Sequence, residues 1–238
     1  MKRFVLTVLA LKLGLAVGFF TLFVASQTSV ERNGKASTPQ PSQTNDNISR
    51  PTSVPYDGDL SIFEGENRAK NLQIDRVMDI LQITAKKNVA DIGAGSGWFT
   101  ALAAKRADKG TIFAVEINQQ YIDHINARAL KENLPNIRTV LGKPDDPMLP
   151  RKSVHAVMIL KTYHEIAEPI RLMKNLKKSL KKKALVAIID KNGSGDDHGL
   201  DKDSVIAEMK LAGYKLKGEY DFVKADGMDY FLVFAALK

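Results

Sequence analysis

Apolar residues are distributed along this chain in three regimes. Residues 4–25 are almost wholly apolar, interrupted by Lys12 and a few small polar residues. Residues 27–57 are dominated by Ser, Thr, Gln, Asn and Pro, and from 58 onward short apolar runs alternate with polar turns. The third regime predicts the folded domain. Ile74, Val77, Met78 and Leu81 share one face of a helix over 68–81. Apolar runs at 88–92, 111–115, 137–141, 154–160 and 184–189 read as buried strands. A helix is expected at 98–106, and another after 160, where Ile166, Ile170, Met173, Leu176 and Leu180 recur at helical spacing. A helix over 201–211, stopped by Gly213, and strands at 215–222 and 230–236 complete the pattern. Strands alternating with helices predict an α/β sheet, and the chain shows no internal repeat.

The first two regimes predict an appendage. Lys2 and Arg3 precede the apolar run, whose length approaches the roughly 20 residues that a spanning helix needs. Val24 and Ser26 are small residues placed for cleavage before Gln27, so 1–26 reads as a signal peptide or a membrane anchor. Positive charge ahead of the run predicts a domain that is exported or membrane-anchored and extracytoplasmic, an asymmetry diluted by Arg32 and Lys35. Pro39, Pro41, Pro51 and Pro55 punctuate 27–57, which reads as a flexible polar linker ahead of a domain over 58–238.

Composition narrows the chemistry. With no cysteine, the chain has no disulfide, thiolate metal site or cysteine nucleophile. The net charge of +8 permits attraction to anionic lipid or nucleic acid, but Lys174, Lys177, Lys178, Lys181, Lys182 and Lys183 fit the solvated face and C-terminal end of the helix after 160. Nucleic acid is therefore not expected as a partner; membrane contact is, through an uncleaved N-terminal segment.

The chemistry concentrates in one turn. The strand at 88–92 runs straight into Gly93-Ala94-Gly95-Ser96-Gly97 and a helix. Glycines there allow a sharp turn and close approach of a ligand to the main chain, beside the free amides of a helix start. Asp91 precedes the turn, and Glu116 ends the next strand, nineteen residues past Gly97, where an acid can take both hydroxyls of a ribose. No Lys or Arg lies between Asp91 and Ala104, a pattern suited to a cationic ligand without phosphate. A phosphate-binding P-loop is excluded, since its Lys-Ser/Thr ending is missing. The dinucleotide fingerprint places its third glycine where this chain has Trp98.

The segment from Val89 to Thr100, VADIGAGSGWFT, resembles the first motif of class I S-adenosylmethionine-dependent methyltransferases, and Ala114-Val115-Glu116-Ile117 resembles their second. The likeness runs over roughly 66–238. It implies a doubly wound, Rossmann-like, seven-stranded sheet with a terminal antiparallel strand pair, and S-adenosyl-L-methionine as cofactor. Gly93, Gly95 and Gly97 would then pass the methionine part of the donor, Asp91 would hold its amino group, and Glu116 its ribose. An acid after the third strand would meet the adenine amino group. Lys143 stands at the first such place, so Asp145 or Asp146 is expected there.

The acceptor is expected beyond the fourth strand, where Lys161-Thr162-Tyr163-His164-Glu165 follows. Tyr163 and His164 are candidates for catalysis, His164 as general base for an oxygen or nitrogen acceptor. This run does not match the Asn-Pro-Pro-Tyr signature of amide and base nitrogen methylation. The methyl acceptor is therefore unidentified and is a small molecule, lipid or protein. No catalytic metal is required for in-line methyl transfer by positioning. The segment Asp190 to Asp201 partly matches a calcium loop, with Asp201 in place of the usual glutamate. It reads better as a loop over the site that carries His198. A nicotinamide-dependent reductase and a non-catalytic donor-binding module are the alternatives.

Overall fold

The structure is a computed structural model that describes residues 50–224 and 227–237. The apolar N-terminal run and the linker up to residue 49 lie outside the described residues. Among those described, no helix is long and apolar enough to cross a membrane.

Seven strands form one sheet: β1 (Val89–Ile92), β2 (Ile112–Glu116), β3 (Ile137–Leu141), β4 (Val154–Leu160), β5 (Leu180–Lys191), β6 (Tyr214–Tyr220) and β7 (Asp229–Ala236). Their order across the sheet is β3-β2-β1-β4-β5-β7-β6. The first five are mutually parallel, and β7 enters antiparallel between β5 and β6. The all-parallel dinucleotide arrangement, 3-2-1-4-5-6, has no such inserted strand. The strand order reverses between β1 and β4, so a crevice opens beyond their carboxyl ends, where the glycine turn and the His164 segment emerge.

Strand alternation sorts the core into two layers. Ala156, Met158 and Leu160 of β4 face one cluster with Ile112, Ala114, Ala187, Ile189 and Phe231; Val157 and Ile159 face the other with Val186, Ile188, Leu232 and Phe234. The first layer is covered by α2 (Ile74–Ile80), α3 (Trp98–Arg106) and α4 (Gln119–Lys131), the second by α5 (Pro169–Lys177) and α6 (Lys202–Leu211). α4 has no counterpart among the sequence expectations. Asn118 caps it by accepting from the Gln120 amide, and Tyr121, Ile122 and Ile125 are its buried positions.

Two expected helices are broken, each for a local reason. The helix over 68–81 divides into α1 (Arg68–Asn71) and α2 because Gln73 is left-handed at φ 45°, and the change of direction buries both Leu72 and Ile74. The long helix after β4 becomes a 3₁₀ turn, Tyr163–Glu165, followed by α5, with Pro169 at the start of α5 where its missing N–H costs nothing. α5 stops at Lys177, so Leu180 and Lys181 to Lys183 belong to β5, and the lysine cluster spans two elements instead of one helix face.

The end of the expected linker packs onto the domain. Arg50 Nε lies 2.6 Å from Glu208 Oε1 of α6, with both side chains largely buried. Arg50 also donates to the carbonyls of Tyr163 and Ile166. Ser53 is buried, donates its hydroxyl to the Gly195 carbonyl at 2.9 Å, and accepts from the His198 amide at 3.0 Å. Residues 50–56 thus form a strap across the carboxyl end of the sheet.

Candidate active site

The glycine turn is hooked onto β2, since the amides of Gly93 and Ala94 both donate to the Val115 carbonyl. Gly93, Gly95 and Gly97 all have positive φ, at 69°, 55° and 74°. They do different work. A Cβ on Gly93 would collide with the Thr162 side chain, so this glycine lets β1 and the end of β4 approach. A Cβ on Gly95 would meet only Phe63, at 3.6 Å, on the cavity side. Gly97 instead caps α3 and turns its bare face to Ile125, 3.1 Å from where a Cβ would lie.

Two carboxylates flank the turn. Asp91 is buried and accepts from Thr100 Oγ1 at 2.6 Å. Burial pushes its carboxyl up to about 7, with Glu116 adding to the rise while Thr100 and Arg68 oppose it. Glu116 accepts from the Gly95 amide at 2.7 Å and from the Ile117 amide at 3.0 Å. Burial raises its pKa as well, against the pull of those amides.

These groups open on one cavity of ≈1160 Å³. That exceeds the roughly 300–1,000 Å³ typical of a single small-molecule pocket, leaving room for two reactants. Asp91, Gly93, Gly95, Glu116 and His164 all line it. Gly97, Asp145, Asp146 and Tyr163 are not in its wall. Lys143, Pro144 and Pro147 represent the β3 loop there, while Asp146 caps the Met148 amide and Asp145 faces α5, where Arg171 lies at 3.8 Å and Asn175 holds its carbonyl. Tyr163 is fully buried beneath the strap, with the Arg50 guanidinium over its ring at 5.9 Å.

On the acceptor side, His164 Nδ1 lies 2.8 and 3.0 Å from the two oxygens of Asp190, at the end of β5. Asp190 is fully buried and also accepts from the His164 amide at 3.1 Å. With Nδ1–H donating to this carboxylate, the Nε2 lone pair faces away from it, toward Glu165 at 3.8 Å. Burial pushes the Glu165 carboxyl up to about 7, only partly countered by His164 and the Tyr56 amide. His198 completes this wall, its ring edge-on to that of His164 at 5.9 Å. The calcium-like spacing is spent otherwise: Asp190 orients His164, and Asp201 caps α6 through the Ser204 amide.

Several wall residues carried no local signal in the sequence. Arg68 from α1 sits over the Trp98 ring at 4.5 Å and interacts with Asp91; Tyr56, Ile62 and Phe63 close the cavity from the N-terminal side. The cationic character absent from the glycine segment thus arrives from elsewhere in the chain. Lys161 also reaches the wall, held 2.5 Å from Asp229 of β7.

Comparison with known proteins agrees with this geometry. Residues 89–183 match the family described as a methyltransferase domain, a span from β1 into β5 that contains both flanking acids. Over that span the chain is similar to methyltransferase domains. A curated relative from Pyrococcus horikoshii, protein-L-isoaspartate O-methyltransferase, is 23% identical over 114 residues, covering 48% of this chain. That match spans only about half of the relative, 51% of its length. Among solved structures, a SAM-dependent methyltransferase from Aquifex aeolicus is similar with a TM-score of 0.68 at 19% identity, over 76% of this chain and all of that one. The cyclase SpnF is similar at a TM-score of 0.60 and 12% identity, over 79% of this chain and 87% of its own. At these identities the likeness is one of fold, and the same fold serves more than one reaction.

The cavity wall fits the family's cofactor. It offers two carboxylates to a ligand bearing an ammonium and a ribose, bare glycine main chain between them, and an apolar shelf of Ile62, Phe63 and Ile117.

Proposed function

We propose that this protein transfers a methyl group from S-adenosyl-L-methionine to an acceptor bound in the same cavity. The observation that carries the reading is the pairing of Asp91 and Glu116 across Gly93 and Gly95, on a cavity whose far wall is the Asp190-oriented imidazole of His164. When bound, the donor supplies an electrophilic methyl group. Glu116, each of whose oxygens takes one amide, from Gly95 and Ile117, would accept from the ribose hydroxyls on its remaining lone pairs, and Asp91 would face the cationic end. The cavity wall holds the donor and the acceptor side by side, so that positioning supplies the alignment. His164 presents Nε2 to the acceptor and can take its proton when the acceptor is an oxygen or nitrogen nucleophile.

The acceptor class is a small molecule, lipid or protein. The apolar run at 4–25 behind Lys2 and Arg3 supports an exported or membrane-anchored, extracytoplasmic domain, in contact with the membrane where the segment is retained. Protease accessibility in intact cells against lysed cells tests that placement. S-adenosylmethionine is made in the cytoplasm, so this location requires a route for the donor.

Calorimetric titration with S-adenosylmethionine and, in parallel, NAD tests the function. Donor binding that is lost in Asp91→Ala and Glu116→Ala supports it and justifies an acceptor screen. NAD binding, or binding of neither ligand, overturns it.

A further inference from the structure

Beside the donor half of the cavity stand three side chains whose joint arrangement methyl transfer by positioning does not use. His164 and Glu165 come from the turn after β4, and His198 from the loop after β5. One ligand-capable atom from each lies within 4.8 Å of the other two. All three line the cavity. From these observations we propose that His164, Glu165 and His198 form a binding site for a divalent cation of the Zn²⁺ class, with its open coordination position facing the acceptor.

The chemistry of the donor set selects the cation. Two imidazoles and one carboxylate suit borderline metals; Mg²⁺ and Ca²⁺ prefer all-oxygen shells. Three protein ligands are also the usual complement of a catalytic zinc site, whose fourth position is left for water or substrate. Zinc–ligand bonds of about 2.0–2.2 Å place tetrahedral ligands roughly 3.5 Å apart; His164 Nε2 and Glu165 Oε1, 3.8 Å apart, are already near that spacing, so the main closure needed is that of His198. His198 can supply that movement. Its ring is exposed, while its main chain is held by Ser53, so only side-chain torsions need change.

The surroundings of His164 are those of a metal-bound imidazole. Its Nδ1 is committed to the buried Asp190, which fixes the ring's orientation and leaves Nε2 as the free lone pair. Ser53 joins the two halves of the site: its amide donates to the His164 carbonyl at 3.3 Å and its hydroxyl accepts from the His198 amide. The strap therefore sets the spacing between the two imidazoles. Ligation and proton acceptance are exclusive uses of the same Nε2. With a cation in place, His164 serves as ligand, and the cation polarises the acceptor atom bound to it.

This inference rests on the cavity being the transferase site, and its test separates the two. Full-length protein stripped with a chelator is titrated with Co²⁺ as a spectroscopic probe, then with Zn²⁺, while donor binding is measured separately by calorimetry. The expected result is one equivalent of Co²⁺ showing the visible absorption of histidine-bound cobalt, displaced by Zn²⁺. His198→Ala and Glu165→Gln should each weaken Zn²⁺ binding by at least about 10-fold, with melting temperature and donor affinity unchanged. His198 is exposed, so its variant tests the site even if His164→Ala fails to fold. No cobalt absorption, binding of Mg²⁺ alone, or equal Zn²⁺ affinity in wild type and His198→Ala would overturn the site. Cation binding without donor binding would instead uphold the site and overturn the transferase reading.

Discussion

Asp190, near the end of β5, and His164, twenty-six positions earlier in the turn after the adjacent parallel strand β4, are joined by three contacts. The carboxylate spans Nδ1 at 2.8 and 3.0 Å and also takes the His164 amide at 3.1 Å. Neither side chain is exposed, so the imidazole is held in one orientation with one nitrogen committed. Asp190 does not line the cavity and acts through His164, as a positioning residue.

Asp190→Asn should therefore lower turnover or cation affinity by about 10–100-fold, the usual cost of altering a residue behind a functional imidazole. An amide can donate to Nδ1 and reverse the tautomer. Donor affinity should stay near wild type, since Glu116 and Asp91 stand elsewhere on the wall. A parallel fall in donor binding would indicate a general structural role.

The raised pKa of Asp91 predicts a pH-dependent donor affinity. Its carboxyl ordinarily titrates near 3.8 and is held at about 7 in the fold. Between those values the unfolded chain has lost the proton that the folded chain keeps, so this group's stabilisation is complete below 3.8 and lost as pH rises to about 7. A cationic ligand favours the carboxylate. Affinity should rise with pH toward 7 and then level off, with proton release on binding seen by calorimetry in buffers of different ionisation enthalpy. Asp91→Asn should abolish this dependence.

Gly93→Ala should be costly in the absence of any ligand. The residue has φ 69° and its Cβ would meet Thr162, so a loss of about 1–3 kcal/mol is expected in denaturant unfolding. Thr162→Ala should recover part of this, because it trims the obstructing methyl and hydroxyl but not the backbone strain. Gly95→Ala should lose less stability and more donor affinity, since its Cβ projects toward the cavity with only Phe63 nearby.

Arg50→Ala removes the partner of an almost fully buried Glu208. Breaking such a pair on one side typically costs about 3–5 kcal/mol. Thermal melting should fall by several degrees, and a chain beginning at residue 58 should be less stable than one beginning at residue 50. Arg50→Met with Glu208→Met should restore much of the loss, because neither charge is then left unpaired.

The parts of this protein that could be read in its sequence are those made by neighbours in the chain. β1, the glycine turn and α3 are contiguous, so Asp91, Gly93 and Gly95 announce themselves through backbone need and spacing, and Glu116 follows because one helix and one strand have a nearly fixed length. The alternation of strands and helices likewise displays the α/β class, since burial on both faces leaves continuous apolar runs. Long-range packing decided the rest. Chain position points to Asp145 or Asp146 for the adenine, yet loop geometry spends Asp146 on a local amide and turns Asp145 toward α5. Tyr163 and His164 are adjacent, but the turn buries the first and leaves the second at the cavity wall. Arg68 and Tyr56 reach that wall from the N-terminal side, and Asp190 meets His164 only because β4 and β5 lie side by side. Local chemistry marked the donor half of the cavity, whereas the acceptor half exists only where tertiary contacts bring distant segments together.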